Sequence, residues 1–116
     1  QRRNNAKLYF NRLKDLENVI LPFELPESKH VFHLYVIRVK DRDELINYLD
    51  QKGISTGIHY PFPLHMTEAY KNHGYKKGDF PIAEKTSKEI LSLPMYPELS
   101  ERQIDYVCDM IYLYFK

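Results

Sequence analysis

The residues best suited to chemistry lie together in His59-Tyr60-Pro61-Phe62-Pro63-Leu64-His65. Two imidazoles and a phenol can hydrogen-bond hydroxyls and phosphates without bringing a full charge. A hydroxyl-rich ligand suits such groups. Pro61 and Pro63 each lack an N–H and restrict the residue before them, so the segment has few conformations. The plainer alternative is that His59 and His65 are structural or surface histidines with satisfied partners.

Other reaction types find little support. The remaining histidines are His30, His33 and His73. There is no C-x-x-C, no H-E-x-x-H and no carboxylate at a ligand-like offset from His59 or His65, so no metal set is expected. Ser55, Ser87 and Ser92 stand in no G-x-S-x-G context. The scattered glycines form no phosphate-cradling loop. Glu84, Glu89, Asp105 and Asp109 read as solvated helix faces. His33, inside an apolar run, reads as packed and hydrogen-bonded. Cys108 reads as a small buried hydrophobe, and as the one cysteine it allows no internal disulfide, which fits a reducing compartment. The chain's own residues thus make no complete catalytic site.

The elements that must position these groups follow from periodicity. Ala6, Tyr9, Phe10, Leu13 and Leu16 predict a helix over residues 3–16. His30 to Val39 is β-branched and aromatic, which predicts a central strand buried on both faces. Asp41 and Glu44 resemble a capping box opening a helix that Gly53 ends. Ile54 to His59 alternates as a half-buried strand. A short helix is expected over residues 66–72, a turn between Gly74 and Gly78, and a helix capped by Asp79 running to about Ile90. Pro94 makes Leu91 to Met95 an edge strand at best. Ser100 and Gln103 form a capping box, Leu99 can staple onto Ile104, and Ile104, Val107, Cys108, Ile111 and Phe115 form the last helix's buried stripe. The fold class is α+β: a small, mainly antiparallel sheet covered by helices.

With 116 residues the chain is one domain's worth, and 43% hydrophobic residues suffice for a core. Lys plus Arg number 17 and Asp plus Glu 16, a net charge of +1 that gives no electrostatic case for nucleic acid or an anionic membrane. No apolar run is long enough to cross a bilayer. Ten tyrosines and six phenylalanines make a heavy aromatic load, most of it read as core packing. The chain starts at Gln1 inside a helical pattern and reads as a fragment of a longer protein.

Longer motifs add a resemblance. G-I-x-T-x-I-H-Y-P-x-P-L-H spans Gly53 to His65, with A-Y at Ala69-Tyr70. G-Y-x-x-G-D-F-P-x-A-E spans Gly74 to Glu84, and L-S-L-P-M-Y-P-E-L spans Leu91 to Leu99. Upstream stand R-R-x-x-A-x-x-Y from Arg2 and H-L-Y-V-I-R-V from His33. Together they resemble the C-terminal segment of the DegT/DnrJ/EryC1/StrS family of sugar aminotransferases.

The resemblance implies a fold-type-I pyridoxal-phosphate enzyme that works as a cytoplasmic homodimer. Such enzymes move an amino group, usually from glutamate, onto a keto group of a nucleotide-linked deoxysugar in aminosugar and polysaccharide biosynthesis. Residues 1–116 would be the single C-terminal small domain. The pyridoxal 5'-phosphate, its Schiff-base lysine and most phosphate ligands would belong to the large domain. Carried over by motif, His59 and Tyr60 would shape the sugar-nucleotide pocket, with His65 as a further candidate. Pro61 and Pro63 would fix the loop, and Met95 and Tyr96 would make no contact. This I-H-Y-P-x-P-L-H version resembles members acting on 3-keto sugars attached to dTDP or UDP. The departure from the family is truncation, which puts catalysis by this chain alone in doubt. Two alternatives stay open: a dehydratase of the same fold, in which histidine replaces the lysine, and a non-catalytic binding module.

Overall fold

The computed structural model describes all of residues 1–116. Helix α1 covers Arg2–Leu13, strand β1 Tyr35–Arg38 and helix α2 Arg42–Gln51. Two single-turn 3-10 segments, Leu64–Met66 and Glu68–Tyr70, come next. Helix α3 covers Pro81–Glu89, strand β2 Ile90–Leu93 and helix α4 Glu101–Phe115.

Strands β1 and β2 pair antiparallel, with Tyr35 opposite Leu93 and Arg38 opposite Ile90. Single bridges extend the sheet on both sides, Ile20 to Arg38 and Gly57 to Ser92. Strand β1 is therefore central, as its composition implies, but the expected burial on both faces is corrected: Tyr35 and Ile37 are buried, while Val36 and Arg38 are only half-buried. The α+β class also holds: helices α1, α2 and α4 close over this small antiparallel sheet. The expected edge position of β2 is corrected. Pro94 lies one residue past the strand, so it removes no ladder donor, and all of β2 is buried. The strand expected over residues 54–59 is reduced to the one bridge at Gly57.

The strand expected from His30 begins only at Tyr35. Phe32 adopts a left-handed φ of 48°, which breaks the extended run. Guanidinium groups, not a ladder, satisfy this segment's carbonyls. Arg3 Nη1 donates to the His30 carbonyl at 2.7 Å, and Arg2 Nη1 donates to the carbonyls of His33 and Met95, each at 2.9 Å. His33 is exposed, contrary to the packed position expected for it.

Helix α1 stops at Leu13, short of Leu16, and buries Ala6, Tyr9 and Leu13 while Phe10 stays half-exposed. It packs against α4, and Arg12 pairs with Asp105 across the contact at 2.7 Å. The Tyr9 ring stacks on Tyr35 with centroids 4.9 Å apart, and its hydroxyl donates to the Pro94 carbonyl at 2.9 Å. Helix α4 has the expected capping box: Ser100 Oγ accepts from the Gln103 N–H, and Gln103 Oε1 accepts from the Ser100 N–H. Leu99 and Ile104 are both buried in the same core, as a staple requires.

Helix α2 starts after Asp41, but the Asp41 side chain accepts no backbone bond, so that capping box is absent. Its end is a Schellman motif. Gly53 takes φ 73°, its N–H donates to the Asp50 carbonyl at 2.9 Å, and the Ile54 N–H reaches the Leu49 carbonyl at 2.9 Å. Buried Arg42 ties α2 to the junction of α3 and β2 by donating to the carbonyls of Ser87 and Ile90.

The helix expected over residues 66–72 is two separate turns. Thr67 between them is extended, and its hydroxyl donates to the Leu64 carbonyl at 2.7 Å, competing with helix continuation. Asp79 does not cap α3; its carboxylate accepts from the Lys76 N–H at 2.9 Å and closes the turn between Gly74 and Gly78.

Candidate functional site

The site grows from the outer edge of β2. Gly57 and Ser92 exchange two backbone hydrogen bonds, of 3.0 and 2.7 Å. Opposed residues of an antiparallel pair present their side chains on one face, and residues two apart in an extended segment share a face. His59 therefore falls on the Ser92 side. Its ring lies back over Gly57, with Nδ1 2.9 Å from Ser92 Oγ. A Cβ at Gly57 would stand 2.8 Å from His59 Cε1, so the missing side chain supplies the room.

Tyr60 follows through a cis peptide and is 74% exposed. Its ring meets His59 edge-on, with centroids 5.7 Å apart. The loop from Tyr60 to Leu64 and the face of α3 bearing Ala83, Thr86 and Ser87 bound an open cavity of about 540 Å³. Pro61 and Pro63 stand in its wall.

His65 belongs to a different pocket. It is buried, with Nε2 2.9 Å from Glu84 Oε1 and its ring tilted against Phe80 at 4.8 Å. The same Glu84 oxygen accepts the Gly78 N–H at 2.6 Å. That backbone bond, then the His65 contact, holds the Glu84 carboxyl below the usual carboxylate range. His65, Tyr70, Tyr75 and Phe80 line a smaller cavity of about 280 Å³, which shares Leu64 and Ala83 with the first. The structure thus brings His59 and Tyr60 together and sets His65 behind their wall.

Sequence reasoning missed the partners. Ser92 stands in no nucleophile motif, but a lone hydroxyl in Ile-Leu-Ser-Leu signals a buried hydrogen bond. The solvated-face reading of the carboxylates is corrected. Glu84 holds His65 and Gly78, Glu89 pairs with Arg38 at 2.7 Å, and Asp105 pairs with Arg12; of the four, Asp109 alone is exposed.

No group of three or more His, Cys, Asp or Glu side chains is arranged to hold a metal ion. Nor do the residues here fit pyridoxal phosphate by themselves. Every lysine is on the exposed surface, whereas a Schiff-base lysine sits in a desolvated pocket. No helix is long and apolar enough to cross a membrane.

Residues 1–112 match the DegT/DnrJ/EryC1/StrS aminotransferase family, and the chain belongs to that family. It is 46% identical over 113 residues to a protein of Geobacillus stearothermophilus named pleiotropic regulatory protein, covering 96% of this chain and 30% of that one. It is 38% identical over 106 residues to the dTDP-3-amino-3,4,6-trideoxy-alpha-D-glucose transaminase of Streptomyces venezuelae, covering 91% of this chain and 28% of that one. The crystal structure of S. venezuelae DesV in complex with a ketimine intermediate superposes with a TM-score of 0.94 at 36% identity, over 97% of this chain and 30% of that one. The chain spans about 30% of the length of the relatives it matches.

Proposed function

We propose that residues 1–116 are the C-terminal small domain of a pyridoxal-phosphate aminotransferase. The whole enzyme moves an amino group from glutamate to the C3 keto group of a nucleotide-linked deoxysugar. It does so as a cytoplasmic homodimer, and this chain alone is inactive. The observation that carries the reading is Tyr60 in the lining of an open cavity, with the exposed His59 ring edge-on against it. The imidazole is anchored through Nδ1, and Nε2 makes no hydrogen bond within the chain. An anchored imidazole and an exposed phenol can hold sugar hydroxyls or phosphate oxygens. His65 shapes the wall behind them and does not touch the ligand.

Two further observations support this assignment. The relative from S. venezuelae is named for a 3-amino product. The surface around the site is unusually apolar for a free domain: Tyr60, Phe62, Leu64 and Ile82 are 64 to 80% exposed. The rest of the enzyme would cover that surface and supply the cofactor, whose ring acts as the electron sink of amine transfer. This chain's part is to bind and orient the sugar.

The test is turnover by the full-length protein carrying this chain, given pyridoxal phosphate, glutamate and a dTDP-linked 3-keto-6-deoxy sugar. Formation of 2-oxoglutarate and an aminosugar is expected, with a 4-keto isomer converted poorly. Absence of both products sinks the reading. The name of the Geobacillus relative favours a second one, a regulatory binding module. That module would bind ligand or partner without transamination, and the same assay separates the two.

A further inference from the structure

We infer that Ser92 is the positioning residue for His59 and selects the tautomer that His59 presents to the ligand. This rests on the reading of His59 as a contact to the sugar nucleotide.

Strand β2 reads Ile-Leu-Ser-Leu and is buried at every position. A hydroxyl at such a position costs free energy unless it is hydrogen-bonded. The side-chain partner of Ser92 Oγ is His59 Nδ1, at 2.9 Å. The Ser92 N–H and C=O are both held by the exchange with Gly57, and its neighbours Leu91 and Leu93 stand opposite Ile37 and Tyr35 of β1. Ser92 Oγ is therefore fixed by the sheet. His59 sits on an exposed loop, where its ring meets the exposed Tyr60 ring edge-on and lies over Gly57; Ser92 Oγ is its only hydrogen-bond partner in the chain.

The proton follows from the partners. Ser92 Oγ has no other acceptor within the chain, so the arrangement that satisfies its buried proton is the one in which it donates to Nδ1, 2.9 Å away. Nδ1 is then the acceptor, and the ring proton resides on Nε2. His59 thus presents an N–H donor, suited to a ligand oxygen such as a phosphate or a sugar carbonyl. Without the Ser92 hydroxyl the ring would turn freely and populate both tautomers.

The experiment uses the full-length protein with its cofactor, labelled with 15N at histidine. The His59 signals are those lost in His59→Gln. In the parent, His59 should show an acceptor-type Nδ1 and a protonated Nε2. In Ser92→Ala, a small and easily packed change, both signals should move toward averaged values. KM for the sugar nucleotide should rise about five-fold, the worth of one neutral hydrogen bond, with kcat less affected. The rise should vanish when Ser92→Ala is added to His59→Gln, because the serine acts only through that ring. Unchanged ring signals in Ser92→Ala overturn the inference, as does a KM rise that persists without His59. A His59→Gln enzyme with KM unchanged overturns the contact reading of His59 itself, and the positioning role falls with it.

Discussion

His65 Nε2 and Glu84 Oε1 lie 2.9 Å apart, and that one carboxylate oxygen also receives the Gly78 N–H. A single acceptor thus ties the 3-10 turn at Leu64–Met66 to the Gly78 turn and to α3. The two cavities meet at this wall. Glu84→Gln keeps the shape and weakens both bonds, because a charged acceptor makes the stronger hydrogen bond. Hydrogen exchange at the Gly78 amide should speed up in that variant, while amides of α4 stay as protected as before.

The same carboxylate sets an acid limit. Its folded-state pKa is depressed below the ordinary glutamate value of 4.5, chiefly by the Gly78 N–H. A depressed acid contributes stability above the unfolded value and loses it as pH falls through the folded one. Order in the 64–84 lobe should therefore hold at neutral pH and decline below about pH 4.5. Protection factors at the Gly78 amide, with the intrinsic pH dependence of exchange divided out, followed from pH 6 down to 3 check this. A Glu84→Gln variant should show a flat profile over that range.

An alkaline limit comes from the core. Burial pushes the Cys108 thiol up from its ordinary value of 9.0 to about 12, and raises the Tyr9 and Tyr35 phenols as well. Here the folded pKa is above the unfolded one. The stability is complete below the unfolded value and drains away as pH rises toward the folded value. Denaturant midpoints should fall from about pH 9 upward. Thiol-directed reagents at pH 8 should label Cys108 only as fast as the chain opens.

Gly53 isolates the cost of backbone handedness. It holds φ 73° at the end of α2, and a Cβ there would meet nothing within 4 Å. Gly53→Ala should therefore cost about 1–2 kcal/mol from conformation alone, read by denaturant unfolding. Gly53→Asn should recover part of it, since asparagine tolerates the left-handed region better.

The cap of α4 offers a matching control. Ser100→Ala removes the acceptor of the Gln103 N–H and should cost about 1 kcal/mol. The midpoint should fall without a change in slope, because the stripe of Ile104, Val107, Cys108 and Ile111 stays buried.

Local rules explain which features the sequence reveals. The Ser100–Gln103 box, the Gly53 stop and the stripe of α4 each depend on residues within a turn or two, so spacing alone identifies them. The features it hides are long-range. Phe32 enters the left-handed region where neighbouring carbonyls are held by Arg2 and Arg3 from far up the chain. Strand β2 looks like an edge because Pro94 is counted with it, and only the distant Gly57 shows that its outer side is paired. Within the candidate site, His59 and Tyr60 stand out by residue type. The partners Ser92 and Glu84 do not, being 33 and 19 positions from the histidines they hold.

Arg2 bears on how the chain is made. One of its nitrogens grips carbonyls at His33 and Met95, the second 93 positions away. A ribosome adding about 5–20 residues per second exposes Arg2 several seconds before Met95 exists. Throughout that interval α4 is also unmade, so Ala6, Tyr9 and Leu13 have no α4 surface to bury against. Newborn chains should therefore dwell with the Ala6, Tyr9 and Leu13 stripe of an otherwise polar helix uncovered, the sort of surface that chaperones bind.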